Sequence, residues 1–326
     1  MKNLLPTNNH GCPYLLLAPM EGVGDRSFRK AIATIGGFDE AVTEFISVPS
    51  KAHVESLAKV YQKDELANIP LAAQIMGAEA DLMAAMAKEL EKRGAPRIDI
   101  NCGCPSNTVT GRGAGSSLLR NPLDLYEIAK SVVSAVSTPV TIKMRSGYLD
   151  ISLFKENLLA AQESGVKYIT LHPRTKIEGY TPPARWDLIA EAKSLLKIPV
   201  IGNGDITSLE KALQVLTQTK CDALMIGRGA VTNPFLFWEI KAHFSKKPLM
   251  KSIDSLENLL RTFLQEMPPH LLEKAKINKL KQIASFLFKA NETLLEKRQE
   301  MLRMQPKTPH SFLDSLLPFF KNDFFS

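Results

Sequence analysis

Cysteine is scarce in this chain: four residues in 326, at positions 12, 102, 104 and 221. Thiols so few and so irregularly spaced exclude a disulfide scaffold. Cys102 and Cys104 lie in an Asn-Cys-Gly-Cys-Pro run with no second Cys or His cluster nearby. A closed zinc site needs four ligands, so no metal is expected. Long apolar runs are missing too, and none approaches the roughly 18 residues that a membrane span requires. The first ten residues turn polar at Asn8, Asn9 and His10 and lack the apolar stretch of a secretory signal. Together these gaps lead us to expect a soluble cytoplasmic protein with no membrane partner, its thiols kept free by the reducing cytosol.

What is present suits a two-part enzyme. The length exceeds that of a usual single domain and accommodates an α/β barrel with a smaller appendage, and an apolar content of 44% is ample for a core. Between residues 15 and about 230, eight strand candidates recur: 15–20, 40–45, 71–75, 97–102, 140–144, 168–172, 199–203 and 223–227. The stretches between them read as helices. Leu209, Ala212, Leu213 and Leu216 share one face at helical spacing, with Thr207 and Glu210 just ahead as a capping box. Residues 81–93 are strong helix formers that stop at Gly94. Eight such units favour a (β/α)8 TIM barrel over an open doubly wound sheet.

After Pro234 the strand signal ends, and several helices follow, broken at Pro268-Pro269. We place the boundary near 245, giving a barrel over 1–244 and a helical domain over 245–326. This second part holds 14 Lys+Arg against 9 Asp+Glu, or +5 of the net +7. Clustered cations fit a polyanionic substrate, because phosphates attract them. Ile277, Leu280, Ile283, Ala284 and Leu287 form one apolar face; Lys274 and Lys281 lie opposite, with Lys276 and Lys279 flanking it.

Chemistry is expected at the C-terminal ends of the barrel strands. Polar or reactive residues gather there: Pro19-Met20-Glu21, Thr43-Glu44, Gln74, Asn101-Cys102-Gly103-Cys104, Lys143 and Arg145, His172, Asn203-Gly204-Asp205 and Gly227-Arg228-Gly229. Glycines after the last two strands let the backbone approach a phosphate, with Arg228 as its partner. An interior Lys143 suits negative charge on a reduced flavin ring. These features suggest FMN, bound non-covalently. The segment 104–117 reads as a loop carrying a thiol. Pro105 pushes Cys104 extended towards the mouth, where it can donate a proton, whereas Cys102 packs on the barrel wall.

The segments APMEGVGD (18–25), TEF (43–45), QIMG (74–77), DINCGCPS (99–106), KMR (143–145), HPRT (172–175), NGDI (203–206) and IGRG (226–229) resemble, in order, the tRNA-dihydrouridine synthases. The MEGV and NCGCPS forms resemble most the bacterial C-type subfamily, which acts on uridine 16 of the D-loop. The resemblance implies NADPH-driven, FMN-dependent reduction of uridine to 5,6-dihydrouridine, with hydride delivered to C6 and a proton from Cys104 to C5. It implies a cofactor site of Pro19, Met20, Glu21, Gln74, Lys143, His172, Asn203, Gly204, Asp205, Gly227 and Arg228. Asn101, Arg145 and His172 would hold a flipped uridine, and Lys274, Lys276, Lys279 and Lys281 would contact tRNA. No separate dinucleotide fingerprint exists for NADPH, which would use the same mouth in turn. No protein partner is implied, and a monomer is expected. Two rivals stand beside this reading: an FMN barrel acting on a small substrate, which needs no basic tail, and a tRNA binder without catalysis, which needs neither Cys104 nor Lys143.

Overall fold

The computed structural model describes residues 5, 11–106, 110–111, 113–249 and 251–324. Among them nine strands occur: β1 (Tyr14–Leu17), β2 (Glu40–Val42), β3 (Ile46–Val48), β4 (Leu71–Gly77), β5 (Ile98–Cys102), β6 (Val140–Gly147), β7 (Ile169–Thr175), β8 (Val200–Asn203) and β9 (Ala223–Ile226). All pairings are parallel. They run β1-β2-β4-β5-β6-β7-β8-β9 and back to β1, which closes an eight-position TIM barrel. Every expected strand is present, but the one expected over 40–45 breaks after Val42 and resumes as β3, which pairs with β4. The break has its cause in two contacts from distant segments. Thr43 Oγ1 accepts from the Gln74 amide at 3.0 Å, and Glu44 turns away to accept from Gly22 N at 2.9 Å.

Side chains alternate across each strand, and that parity sorts them. Leu71, Ala73 and Ile75, Ile98, Ile100 and Cys102, and Ile142 and Met144 belong to the core between strands and helices. The alternate positions face the lumen, where a smaller apolar cluster includes Leu16, Val42, Ala72, Ile201 and Met225. Cys102 is therefore a wall residue, as expected. At the lower end Arg97 is buried against Glu40 (2.8 Å), with its Nη1 on Thr141 Oγ1 at 2.5 Å and its guanidinium over the Tyr168 ring.

Outside the barrel lie α1 (Arg26–Ile35), α2 (Val54–Ala58), α3 (Ala80–Lys92), α4 (Pro122–Ala135), α5 (Phe154–Glu163), α6 (Trp186–Leu195), α7 (Leu209–Thr219), α8 (Arg228–Thr232) and α9 (Leu236–Ser245). The expected capping box at α7 is displaced. Ser208, in extended backbone, is the N-cap and accepts from Lys211 N at 3.2 Å, which leaves Glu210 one position short of the box.

The tail comprises α10 (Ile253–Gln265), α11 (Glu273–Leu287), α12 (Glu292–Arg303) and α13 (Pro309–Asp323). The apolar core runs without interruption from barrel to tail. Polar ties reinforce the contact: Ser27 Oγ donates to Glu266 O at 3.0 Å, Lys30 pairs with Glu266 at 2.8 Å, and Lys279 pairs with Asp25 at 2.5 Å. The tail thus sits beside the start of α1, next to the barrel mouth. Among the described residues no helix is long and apolar enough to cross a membrane.

Candidate active site

A cavity of about 720 Å³ opens at the C-terminal ends of the strands, within the size range of cofactor sites. Strand register builds its floor. Gln74 stands opposite Asp99, Asn101 opposite Lys143, and Arg145 opposite His172. At one side the chain after β1 folds back, with Gly24 N on Met20 O at 2.7 Å, and sets Pro19, Met20 and Glu21 along the wall. Asn203, Gly204, Asp205, Gly227 and Arg228 form the wall across from Cys104.

Cys104 stands at the lip and is held on three counts. Its N–H donates to Asn101 Oδ1 at 2.8 Å, its carbonyl accepts from Ser116 Oγ at 2.8 Å, and its thiol faces Glu21 Oε2 at 3.6 Å. Burial, aided by Glu21, pushes the thiol up from its ordinary value. A thiol kept protonated is suited to giving up a proton rather than to nucleophilic attack. Residues 107–109 and 112 of the expected loop lie outside the described residues.

Lys143 projects from β6 into the cavity and makes no hydrogen bond or ion pair among the described residues. Burial, with Arg145 nearby, brings its ammonium down to about 8. His172 is buried and held well below its usual value, first by burial and then by Lys143 and Arg145. Its Nε2 lies 3.2 Å from Arg174 Nη1. An arginine only donates, so Nε2 accepts and the neutral ring carries its proton on Nδ1.

Several expected site residues have duties inside the protein. Arg145 gives Nε to Gly103 O (2.8 Å) and Nη1 to Thr175 O (2.9 Å) and Gly179 O (2.7 Å), so it chiefly shapes the loops around the mouth. The Asp205 carboxylate accepts from Arg174 at 2.5 Å and from Ala184 N at 2.8 Å. Asn203 Nδ2 is bonded to Met225 O at 2.8 Å. In the tail, Lys281 is not on an outward face. Its Nζ caps α12 through Leu302 O (2.8 Å) and Met304 O (2.5 Å), over the Phe312 ring. Lys274 is exposed and Lys276 half-buried.

Sequence reasoning missed Tyr180, Phe286 and Lys289, and gave Arg174, named at its strand end, no role. Tyr180, 55% exposed, lies over Arg228 at 4.3 Å and Arg145 at 5.2 Å at the cavity rim. Arg174 follows His172 by two residues and so shares its face of β7. Phe286 and Lys289 reach the cavity from the tail. No local signal predicts that, because it depends on how the tail docks.

Glycines shape the wall. A Cβ on Gly204 would stand 3.0 Å from the His172 ring, and one on Gly229 only 2.0 Å from Ile206 O. Gly229→Ala is expected to push the Ile206 loop off the start of α8 and destabilise the fold by about 1–3 kcal/mol. Thermal unfolding of the two proteins measures this, and an unchanged midpoint would mean the contact relaxes at no cost.

Comparison with known proteins agrees with this layout. Histamine dehydrogenase from Rhizobium sp. 4-9 superimposes with a TM-score of 0.53 at 14% identity, covering 76% of this chain and 49% of that one, which shows a shared barrel fold. A tRNA-dihydrouridine(16) synthase of Neisseria meningitidis serogroup B is 38% identical over 244 residues, 72% of this chain and 73% of that protein. The tRNA-dihydrouridine synthase B of Pseudomonas putida is also 38% identical, over 78% of this chain and 75% of its own length. With the dihydrouridine synthase family model matching residues 16–318 as well, the chain belongs to the dihydrouridine synthase family.

Proposed function

We propose that the protein is an FMN-dependent, NADPH-driven tRNA-dihydrouridine synthase that saturates the 5,6 double bond of a D-loop uridine, with Cys104 as proton donor. One observation carries this reading: a rim thiol, kept protonated and clamped by Asn101 and Ser116, in a cofactor-sized cavity that also holds an unpartnered lysine on the neighbouring strand.

The cavity suits FMN by its own features. Gly204 and Gly227 bring bare backbone to the wall, where a Cβ would press on His172 at 3.0 Å and on Ala18 and Met20 at 3.4 Å. Arg228 offers a guanidinium for phosphate, and Lys143 a desolvated cation for the ring. Pro19, Met20, Glu21 and Gln74 would border it, and the neutral His172 can donate from Nδ1. When bound and reduced, FMN supplies the hydride for uracil C6. Cys104 Sγ gives its proton to C5, and Glu21 beside it disfavours the thiolate until that moment. Lys143 lies inside the strand ends, too deep for a stacked base, so the target uridine must be flipped out, at about a few kcal/mol of unstacking.

The purified protein, given NADPH and an unmodified tRNA transcript, should convert one D-loop uridine, seen as a gain of two hydrogens in a mapped fragment. Position 16 is favoured by the MEGV and NCGCPS segments. Loss of dihydrouridine at another position in a deletion strain would reassign it. The same uridine in a stable duplex should be a poor substrate, and equal rates on the two would remove the flipping step.

The tail supports tRNA binding by charge. Lys279 and Lys281 hold Asp25 and α12, so the test uses Lys274 and Lys276, whose side chains make no hydrogen bond or ion pair among the described residues. Lys274→Gln with Lys276→Gln should weaken tRNA binding and flatten its salt dependence by about one unit per lost phosphate contact. Unchanged affinity and slope would show that this face of α11 does not meet tRNA.

A further inference from the structure

Two backbone N–H groups, of Gly103 and Cys104, converge on Asn101 Oδ1 at 3.0 and 2.8 Å. Main-chain N–H groups only donate, so the Asn101 oxygen faces them and its Nδ2 faces away. That Nδ2 donates to Gln74 Oε1 at 2.8 Å. Gln74 Nε2 therefore points onward, and it meets Asp99 Oδ2 at 2.7 Å. Asp99 is fully buried on the lumen face of β5. Its other oxygen accepts from Thr141 Oγ1 at 2.6 Å and Arg97 Nη1 at 3.3 Å. The two amides thus have one consistent arrangement, set by donors at one end and a carboxylate at the other.

We propose that Asp99 is a positioning residue for the proton donor: through Gln74 and Asn101 it fixes the amide polarity that clamps the Gly103–Cys104 backbone and holds Cys104 Sγ at the cavity lip. The proposal rests on the reading of Cys104 as the donor. Asp99 is not among the residues that line the cavity. Nor is it among the leading charges on the thiol, which include Glu21 and Arg145. Its influence travels along hydrogen bonds rather than through its field.

Asp99→Asn tests this with little change of shape. One side-chain oxygen stays with Thr141 and Arg97, while the atom facing Gln74 becomes a donor. Gln74 must then turn its oxygen inward and its Nε2 towards Asn101. Asn101 is left with one oxygen for two demands, the Gln74 amide and the Cys104 backbone, and the clamp loosens. For the flavin-loaded protein we expect kcat on tRNA to fall about 10²-fold, the size of effect a misplaced reacting group produces. KM for tRNA should change less than kcat, because Asp99 does not line the cavity and Asn101 is one of several groups that meet the uridine. Alkylation of Cys104 by iodoacetamide, followed by peptide mass analysis, should quicken several-fold.

Adding Gln74→Glu to Asp99→Asn returns a carboxylate to the middle of the chain, where it accepts from both neighbouring amides. The double variant should regain slow alkylation of Cys104 and part of kcat. Asp99→Asn with wild-type alkylation and turnover overturns the proposal. So does a double variant whose Cys104 is alkylated as fast as in the single one, or a failure to fold that the second substitution does not repair, since Asp99 would then serve only the Arg97 pair. The alkylation arm needs no turnover. A wild-type protein inactive on tRNA would sink the functional reading, while positioning would still be judged by thiol reactivity.

Discussion

Cys104→Ala is expected to slow reduction of tRNA uridine by about 10²–10⁴-fold, the usual worth of a positioned general acid, while the protein keeps its flavin and its reduction by NADPH. The expectation follows from place and protonation together. The thiol is at the lip of the cavity, its main chain is bonded on both sides, and burial with Glu21 holds its proton on at neutral pH. Cys102 differs in each respect. It belongs to the wall of β5, packed with the outer core, and its thiol is pushed far up by burial alone before Asp99 adds to it. Cys102→Ala should therefore cost some stability and little activity. The pH dependence has a definite sign: since the thiol is raised, the rate should hold through neutrality and fall only above the ordinary thiol range. Single-turnover assays of the two variants decide the matter. A dead Cys102→Ala beside an active Cys104→Ala would reverse the assignment.

Lys143→Met should do two opposite things. Electrostatic stabilisation of a reduced, negatively charged ring is lost, and removing one such group typically costs about 10²–10³ in rate. Stopped-flow reduction of the flavin by NADPH reads this directly. Stability should move the other way, because burying an unpartnered ammonium opposes folding. In the flavin-free protein the folded-state value of Lys143 is down to about 8, against 10.5 for an ordinary lysine. Between these values the unfolded chain binds more protons than the folded one, so stability rises with pH across that window. Relative to wild type, Lys143→Met should be more stable at pH 7. The advantage should shrink from pH 8 and vanish beyond 10.5. A bound anionic ring raises the lysine, so the alkaline fall in flavin reduction should come at or above pH 8. A variant less stable than wild type at pH 7 would mean that Lys143 has a partner in the folded protein and is not held for the cofactor.

The tail bears on the mouth itself through docking. Phe286 and Lys289 reach the cavity because α11 is tied to Asp25, the N-cap of α1, and because Glu266 is tied to Ser27 and Lys30. Loosening those ties should affect the wall of the mouth without touching Cys104 or Lys143.

The sequence by itself determined the barrel and the thiol. Eight short apolar runs separated by helical stretches can bury both faces of a parallel sheet only in a layered or closed form. The strand ends are legible because parity along a strand is local: Cys102 inside the wall and Lys143 in the lumen follow from counting by two. Even the break after Val42 is local, although its cause, the pull of Gly22 on Glu44, is not. Tertiary structure alone decided what each polar group is for. Asn101 and Arg145 look alike as polar strand ends, yet one anchors the Cys104 backbone and the other spends two of its nitrogens on loop carbonyls. Asp205 looks like a ligand and is a pin for Arg174, and Lys281 looks like a surface cation and is a cap for α12. The physical reason is the same in each case. A buried polar group must find a partner, and which partner lies within 3 Å depends on segments tens of residues away, whose approach no local pattern records.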